Sequence, residues 1–373
     1  IKKNTNLTTS IENQVGHYNI NTYKGTRHSS SKVFLKPVLK NPRLTILDNT
    51  QVKNLIIKDK KITGIKIQNK SIEQIIHLSH GAILCSGSIM TPYLLMHSGI
   101  GDKEHLKKFD KEIIIDNSNV GRNLQDHLGL DYLFKTHHHS LNKSLGTWPG
   151  RITSVLKYIY NRKGPLSLSI NQSGGYVNWN SKHHYPNLQI YFNPLTYSIT
   201  HKNKRPLLKT DKFNGFIIGY NSCRPKSLGR VALNSPNFED APLIDPNFLS
   251  HEEDIYDVKC AINFSQVLAN TNSIKKIRNE SVTHDLLNAT EEEMIDHFKS
   301  NAVSIYHPCG TCKMDEDPKK GVVSERLKVH GMENLWIADA SVFPNITSGN
   351  INAPVMMLAN LGSKFIIEDL NKI

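Results

Sequence analysis

The sequence predicts a mixed chain, α/β with α+β character, in which one domain is interrupted by a second. Three observations carry this. GAILCSG (81–87) and LWIAD (335–339) are short continuous apolar runs, the pattern of strands buried on both faces under helices. LQIYFN (188–193) and FNGFIIGYN (213–221) instead alternate among many turn signals, the pattern of an antiparallel sheet. From about 301 onward the strand, loop and helix pattern returns. The expected domains are therefore 1–128, 129–300 and 301–373, the first and third forming one body.

The elements follow in order. VFLKPVL (33–39), RLTILDNT (43–50), QVKNLIIKDKKITGIKIQ (51–68) and EQIIHLSHGAILCSG (73–87) read as strands, with a hairpin turn at Asp59-Lys60-Lys61. PYLLMHSG (92–99) reads as a helix entered at Pro92 and ended by Gly99 and Gly101. A long helix is expected over about 251–270, and a short one, EEEMIDHFKS (291–300), follows the cap residue Thr290. APVMMLANLGSKFIIEDL (353–370) is an amphipathic helix entered at Pro354.

The chain of 373 residues, 38% hydrophobic and 21% charged, is long enough to bury a substantial core. Its net charge is +13, but the lysines are scattered and no aromatic-interleaved basic stripe occurs, so a solvated basic surface is expected and nucleic acid is not. No apolar run approaches the length of about 18 residues that a membrane span needs. The opening IKKNTNLTTS has neither Met nor an apolar leader and reads as the middle of a longer polypeptide. Five cysteines show no scaffold spacing, and the Asn-x-Ser/Thr sequons of so Asn-rich a chain carry little weight for secretion.

Two motifs carry chemistry. YHPCGTCKM (306–314) contains His307, and GNINAP (349–354) contains Asn350 and Asn352 just before the final helix. Oxidising an alcohol needs a base for the hydroxyl proton, a polar partner for the oxygen and a hydride acceptor. His307 suits the first role because imidazole titrates near neutral pH, and Asn352 suits the second with an uncharged amide. No side chain accepts hydride, so a cofactor must. Cys309-x-x-Cys312 lacks a second pair, and His137-His138-His139 lacks a carboxylate cluster, so no metal site is expected. Met356-Met357 reads as core packing.

These motifs resemble those of the glucose–methanol–choline (GMC) oxidoreductases, flavoenzymes acting on alcohols, and most resemble the insect glucose dehydrogenase branch. GSIMTPYLLMHSGIG (87–101) is similar to the family's second signature. VGRNLQDH (120–127), CRPKSLGRVAL (223–233) and IADASVFP (337–344) match further segments in the same order. The resemblance is close over 22–127 and 301–365. It implies the C-terminal portion of a FAD-binding GMC fold: an incomplete Rossmann-like FAD domain plus an antiparallel-sheet substrate domain. By the same resemblance His307 is the catalytic base and Asn352 the second active-site residue. Asp339, Ala340, Asn123 and Val52 would lie against FAD, with Asp126 and His127 close by. The implied partners are a small alcohol or sugar and an external electron acceptor, oxygen or quinone-like, and the implied location is extracellular.

The sequence also departs from the family. Asp315, Ile351 and Met90 stand where relatives commonly have Gly, Pro and Asn. The phosphate-binding G-x-G-x-x-G loop that opens the family's first βαβ unit has no counterpart, for Gly99-Ile100-Gly101 follows a helix and has Glu104 in the third glycine's place. A chain lacking that unit is expected to be either part of a flavin-dependent CH–OH oxidoreductase or a non-catalytic fragment that does not retain FAD.

Overall fold

The structure is a computed structural model, and it describes residues 2–3, 7, 13–202, 205–283 and 286–371. Two compact units emerge. One is formed by 1–41, 128–223 and 253–304, the other by 42–127, 224–252 and 305–373. The segment 224–252 joins the second unit because Gly229–Ala232 pairs antiparallel with Arg122–Leu124 on one side and Leu243–Asp245 on the other.

The first unit is organised by a seven-stranded sheet whose spatial order is Lys2–Lys3, Gln14–His17, Ser173–Val177, Leu188–Asn193, Gly215–Ser222, Leu128–Lys135 and Val303–Ser304. Except for the first pair, neighbouring strands run antiparallel. Because side chains alternate along a strand, register sorts the two faces. Ile190, Phe192, Phe216, Ile218, Leu130, Tyr132 and Phe134 share one face, with Phe134, Phe216 and Phe192 stacked in a row. Gln189, Tyr191, Asn193, Gly219, Asn221 and Asp131 share the other with Leu133 and Ile217, a face that is mostly polar.

In the second unit, two short strands, Ala82–Leu84 and Leu335–Ile337, pair in parallel; Leu335–Ile337 is buried throughout as its apolar run predicted, whereas Ile83 is exposed, so Ala82–Leu84 is not covered on both faces. The hairpin of Thr50–Lys58 and Lys61–Asn69 turns on Asp59 and Lys60, both at left-handed φ (51° and 61°), and adds Ile72–His77 as a third strand. The core gathers Leu55, Ile62, Leu95, Ile100, Leu335, Ile337 and Val342 with the buried Cys309 and Cys312.

Two sequence expectations are corrected. VFLKPVL forms helical turns (Ser31–Leu35 and Lys36–Val38) and most of RLTILDNT is loop. Pro37 removes a ladder donor there, and their large apolar side chains stay exposed. The helix expected from Pro92 begins five residues earlier, running Gly87–His97 with Pro92 inside it. Proline in a helix leaves the carbonyl four residues back without its partner. That carbonyl belongs to Ser88, and the hydroxyl of Thr311 donates to it at 2.6 Å.

Candidate active site

His307 sits on a loop that four bonds hold in place. Its backbone N–H donates to Asp126 Oδ1 at 2.8 Å, Cys309 and Gln125 exchange backbone bonds, and the Ser88 hydroxyl donates to the Pro308 carbonyl at 2.8 Å. The imidazole is 8% exposed, and burial lowers its pKa below the usual histidine value, so the ring is neutral at neutral pH.

Both ring nitrogens have neighbours. Nδ1 lies 2.9 Å from Nδ1 of the fully buried His127, and Nε2 lies 3.0 Å from the side-chain amide nitrogen of Asn350. An Nδ1–Nδ1 pair needs one donor and one acceptor. When the His307 Nδ1–H donates to His127, Nε2 keeps its lone pair and accepts from Asn350. That tautomer is the one in which Nε2 can act as a base.

Asn350 is the GNINAP asparagine whose amide lies beside the imidazole. Asn352 opens the terminal helix, Asn352–Leu370, and is exposed. Ile351, between the two asparagines, is buried just ahead of the helix. His127 was singled out in the sequence as a neighbour of the cofactor segment. Its pairing with His307 spans 180 positions, and no local pattern announces it.

Asp339 follows the strand Leu335–Ile337 and is 6% exposed. One carboxylate oxygen accepts from the Gly87 N–H (2.9 Å) and the Thr91 hydroxyl (2.6 Å), and the other from the Ser341 N–H (2.8 Å). It therefore caps two helical elements at the carboxyl ends of the parallel strands, Ala340 being the first residue of one of them. Gly87, at φ +78°, faces open space, since a Cβ there would meet no atom within 4 Å. Asn123, at a left-handed φ of 62°, donates to the Gly310 and Pro344 carbonyls at 3.2 and 3.3 Å, binding the His307 loop to the segment after Asp339. Val52 lies half-buried in the strand Thr50–Lys58, packed against the core and opposite Ile67. Asn123 and Asp339 are thus held by bonds within the unit, while Gly87 borders open space.

Burial pushes the thiol of Cys309 up to about 12 and that of Cys312 well above its usual value, so both pack as apolar groups. His137, His138 and His139 are exposed. Among the described residues no group of three or more His, Cys, Asp or Glu is placed to hold a metal ion.

A carboxylate that caps two helical elements at the ends of parallel strands, in the same unit as a buried histidine paired with an asparagine amide, marks a mixed α/β protein with a polar site. GMC oxidoreductase profiles match residues 2–129 and 225–359, and the chain belongs to that family. It is 32% identical to an alcohol dehydrogenase [acceptor] of Pseudomonas putida, over 96% of this chain and 64% of the relative. It is 29% identical to an oxygen-dependent choline dehydrogenase of Cronobacter sakazakii, over 90% of this chain and 59% of the relative. The chain thus spans about three-fifths of the length of these relatives. Among solved structures, a formate oxidase from Aspergillus oryzae superposes with a TM-score of 0.87 at 26% identity, covering 96% of this chain and 66% of that one.

Proposed function

We propose that this chain carries the proton-transfer site of a flavin-dependent oxidoreductase acting on CH–OH groups. The observation that carries the reading is the buried His307 held between His127 Nδ1 and the Asn350 amide. FAD is the group named for the formate oxidase from Aspergillus oryzae. The residues present suit the part of a flavin dinucleotide that lies over strand ends: the open space at Gly87, the start of its helix and the turn after Asp339. When bound, a flavin would supply a two-electron acceptor for hydride.

The chain's own residues do the rest. His307 Nε2 takes the hydroxyl proton, and the Asn350 amide, now 3.0 Å from that nitrogen, turns to donate to the substrate oxygen. His127 fixes which ring nitrogen is basic, and burial keeps the ring uncharged while it waits. The alcohol dehydrogenase and choline dehydrogenase relatives support an alcohol as substrate. The electrons would pass to oxygen or a quinone-like acceptor.

The test is to load the purified chain with FAD, remove free flavin, and follow bleaching of the bound flavin by alcohols. Retained flavin that alcohol bleaches is expected, with His307→Ala slowing bleaching by about 10²-fold or more. Flavin lost on gel filtration, or bleaching unaffected by His307→Ala, would sink the reading.

A further inference from the structure

A helix in the first unit points its apolar side outward. Trp148–Asn161 carries Trp148, Ile152, Val155, Leu156, Ile159 and Tyr160 at positions i, i+4, i+7, i+8, i+11 and i+12, which form one stripe. All six are exposed, Trp148 by 74% and Tyr160 by 92%. The opposite side faces the unit. Ser154 is buried there, and a Cβ on Gly150 would fall 2.6 Å from the Ser144 carbonyl oxygen. This inverts the usual arrangement, in which a surface helix buries its apolar stripe.

Charge says what the stripe meets. Arg151 and Lys157 flank it, and Arg162 and Lys163 follow its last turn. The stretch from 132 to 210 contains 11 Lys and Arg residues and no Asp or Glu, although the whole chain has 33 acidic residues. The hairpin of Thr22–Tyr23 and Thr26–Arg27 abuts the helix end, where Gly25 lies so close to the Arg162 carbonyl that a Cβ would sit 2.1 Å from its oxygen. It adds Lys24 and Arg27 to the cationic rim and an exposed Tyr23 to the apolar area. The guanidinium groups of Arg151 and Arg162 lie over the rings of Trp148 and Tyr158, 5.9 and 5.0 Å from the centroids.

We propose that the Trp148–Asn161 helix docks this protein onto an anionic lipid bilayer, lying in the headgroup plane with its stripe in the acyl boundary and its cations among the anionic headgroups. Aromatic residues at the helix start and end, aliphatic residues between them and lysine or arginine alongside are the composition such a surface selects. Peripheral docking also agrees with the absence, among the described residues, of any helix long and apolar enough to cross a membrane.

The experiment is vesicle flotation with phosphatidylcholine alone and with phosphatidylserine mixed in, in low and high salt. The chain is expected to float with the anionic vesicles in low salt and to release in high salt. Replacing Arg151, Lys157, Arg162 and Lys163 together by Gln is expected to lower the partition coefficient on the order of 10²-fold. The exposed substitutions Ile152→Asp and Ile159→Asp should abolish flotation while leaving the circular dichroism spectrum unchanged, and brominated lipid should quench Trp148 fluorescence in the unaltered chain. No flotation with either vesicle, or flotation that survives the aspartates, would overturn the proposal. So would a lipid-free dimer that the same aspartates dissociate, or duplex DNA binding that survives them. None of these readouts requires flavin or catalysis.

Discussion

The bonds that hold the His307 loop and the polar face of the seven-stranded sheet treat buried polar groups differently. Around His307, distant segments satisfy them one by one: Asp339 takes three donors, Asp126 takes the His307 N–H, and Asn334 exchanges bonds with both backbone groups of Ile62. On the polar face of the seven-stranded sheet, Tyr191, Asn193 and Asn221 keep buried oxygens without partners among the described residues, and burial lifts the Asp131 carboxyl to about 6. Satisfied groups fix geometry, whereas unsatisfied ones are a cost that a hydroxyl-bearing ligand would relieve. The His307 loop is thus the more tightly fixed of the two regions.

Removing the anchor of the satisfied network should have the largest effect. Asp339→Ala strands three donors at once and should cost about 3–5 kcal/mol of stability, read from denaturant midpoints. A loss below about 1 kcal/mol would show that the network is not what holds the site.

Asn350→Ala should slow bleaching of bound flavin by about tenfold, with Asn352→Ala near the unaltered rate. The reverse order would return the second role to Asn352.

A further test of the same unit uses pH. His97 lies against Tyr93 and Phe238 with Nε2 unpartnered, and burial, aided by Lys111, depresses its pKa to about 4. The folded form binds its proton less readily than the unfolded chain does. The stability it contributes is therefore full above about pH 6.5 and is lost as pH falls toward 4, by about 1–3 kcal/mol. Melting temperatures between those limits should fall less steeply in His97→Phe.

The smallest effect belongs to the sheet. Tyr191→Phe removes an oxygen that makes no bond, so stability should change by less than about 0.5 kcal/mol or rise slightly. A loss above about 1 kcal/mol would mean that the hydroxyl is satisfied within the unit after all, and the contrast between the two regions would fail.

What the sequence made legible was local or periodic. The hairpin at Asp59-Lys60 and the capping box of Thr290 and Glu293 are settled by neighbouring residues. His307 was legible from its motif. The helix start at Gly87 was not, because its capping carboxylate, Asp339, lies 252 positions away. The sequence assigned the second role to Asn352, and only the approach of the chain shows that the Asn350 amide is the one beside His307 Nε2. VFLKPVL has strand composition, but no strand pairs with it.

The joint between Pro92 and Thr311 has a kinetic consequence. The Ser88 carbonyl finds its donor 223 positions along the chain, so the first turn of that helix cannot be completed by its own neighbourhood. Contacts of such separation form late, because the intervening chain must first be brought into place. The buried helix at the centre of the second unit should therefore gain its amide protection in two stages. Its C-terminal turns should be protected early, and the turn containing Ser88 only when 305–373 has docked, an order that pulse-labelled hydrogen exchange would resolve.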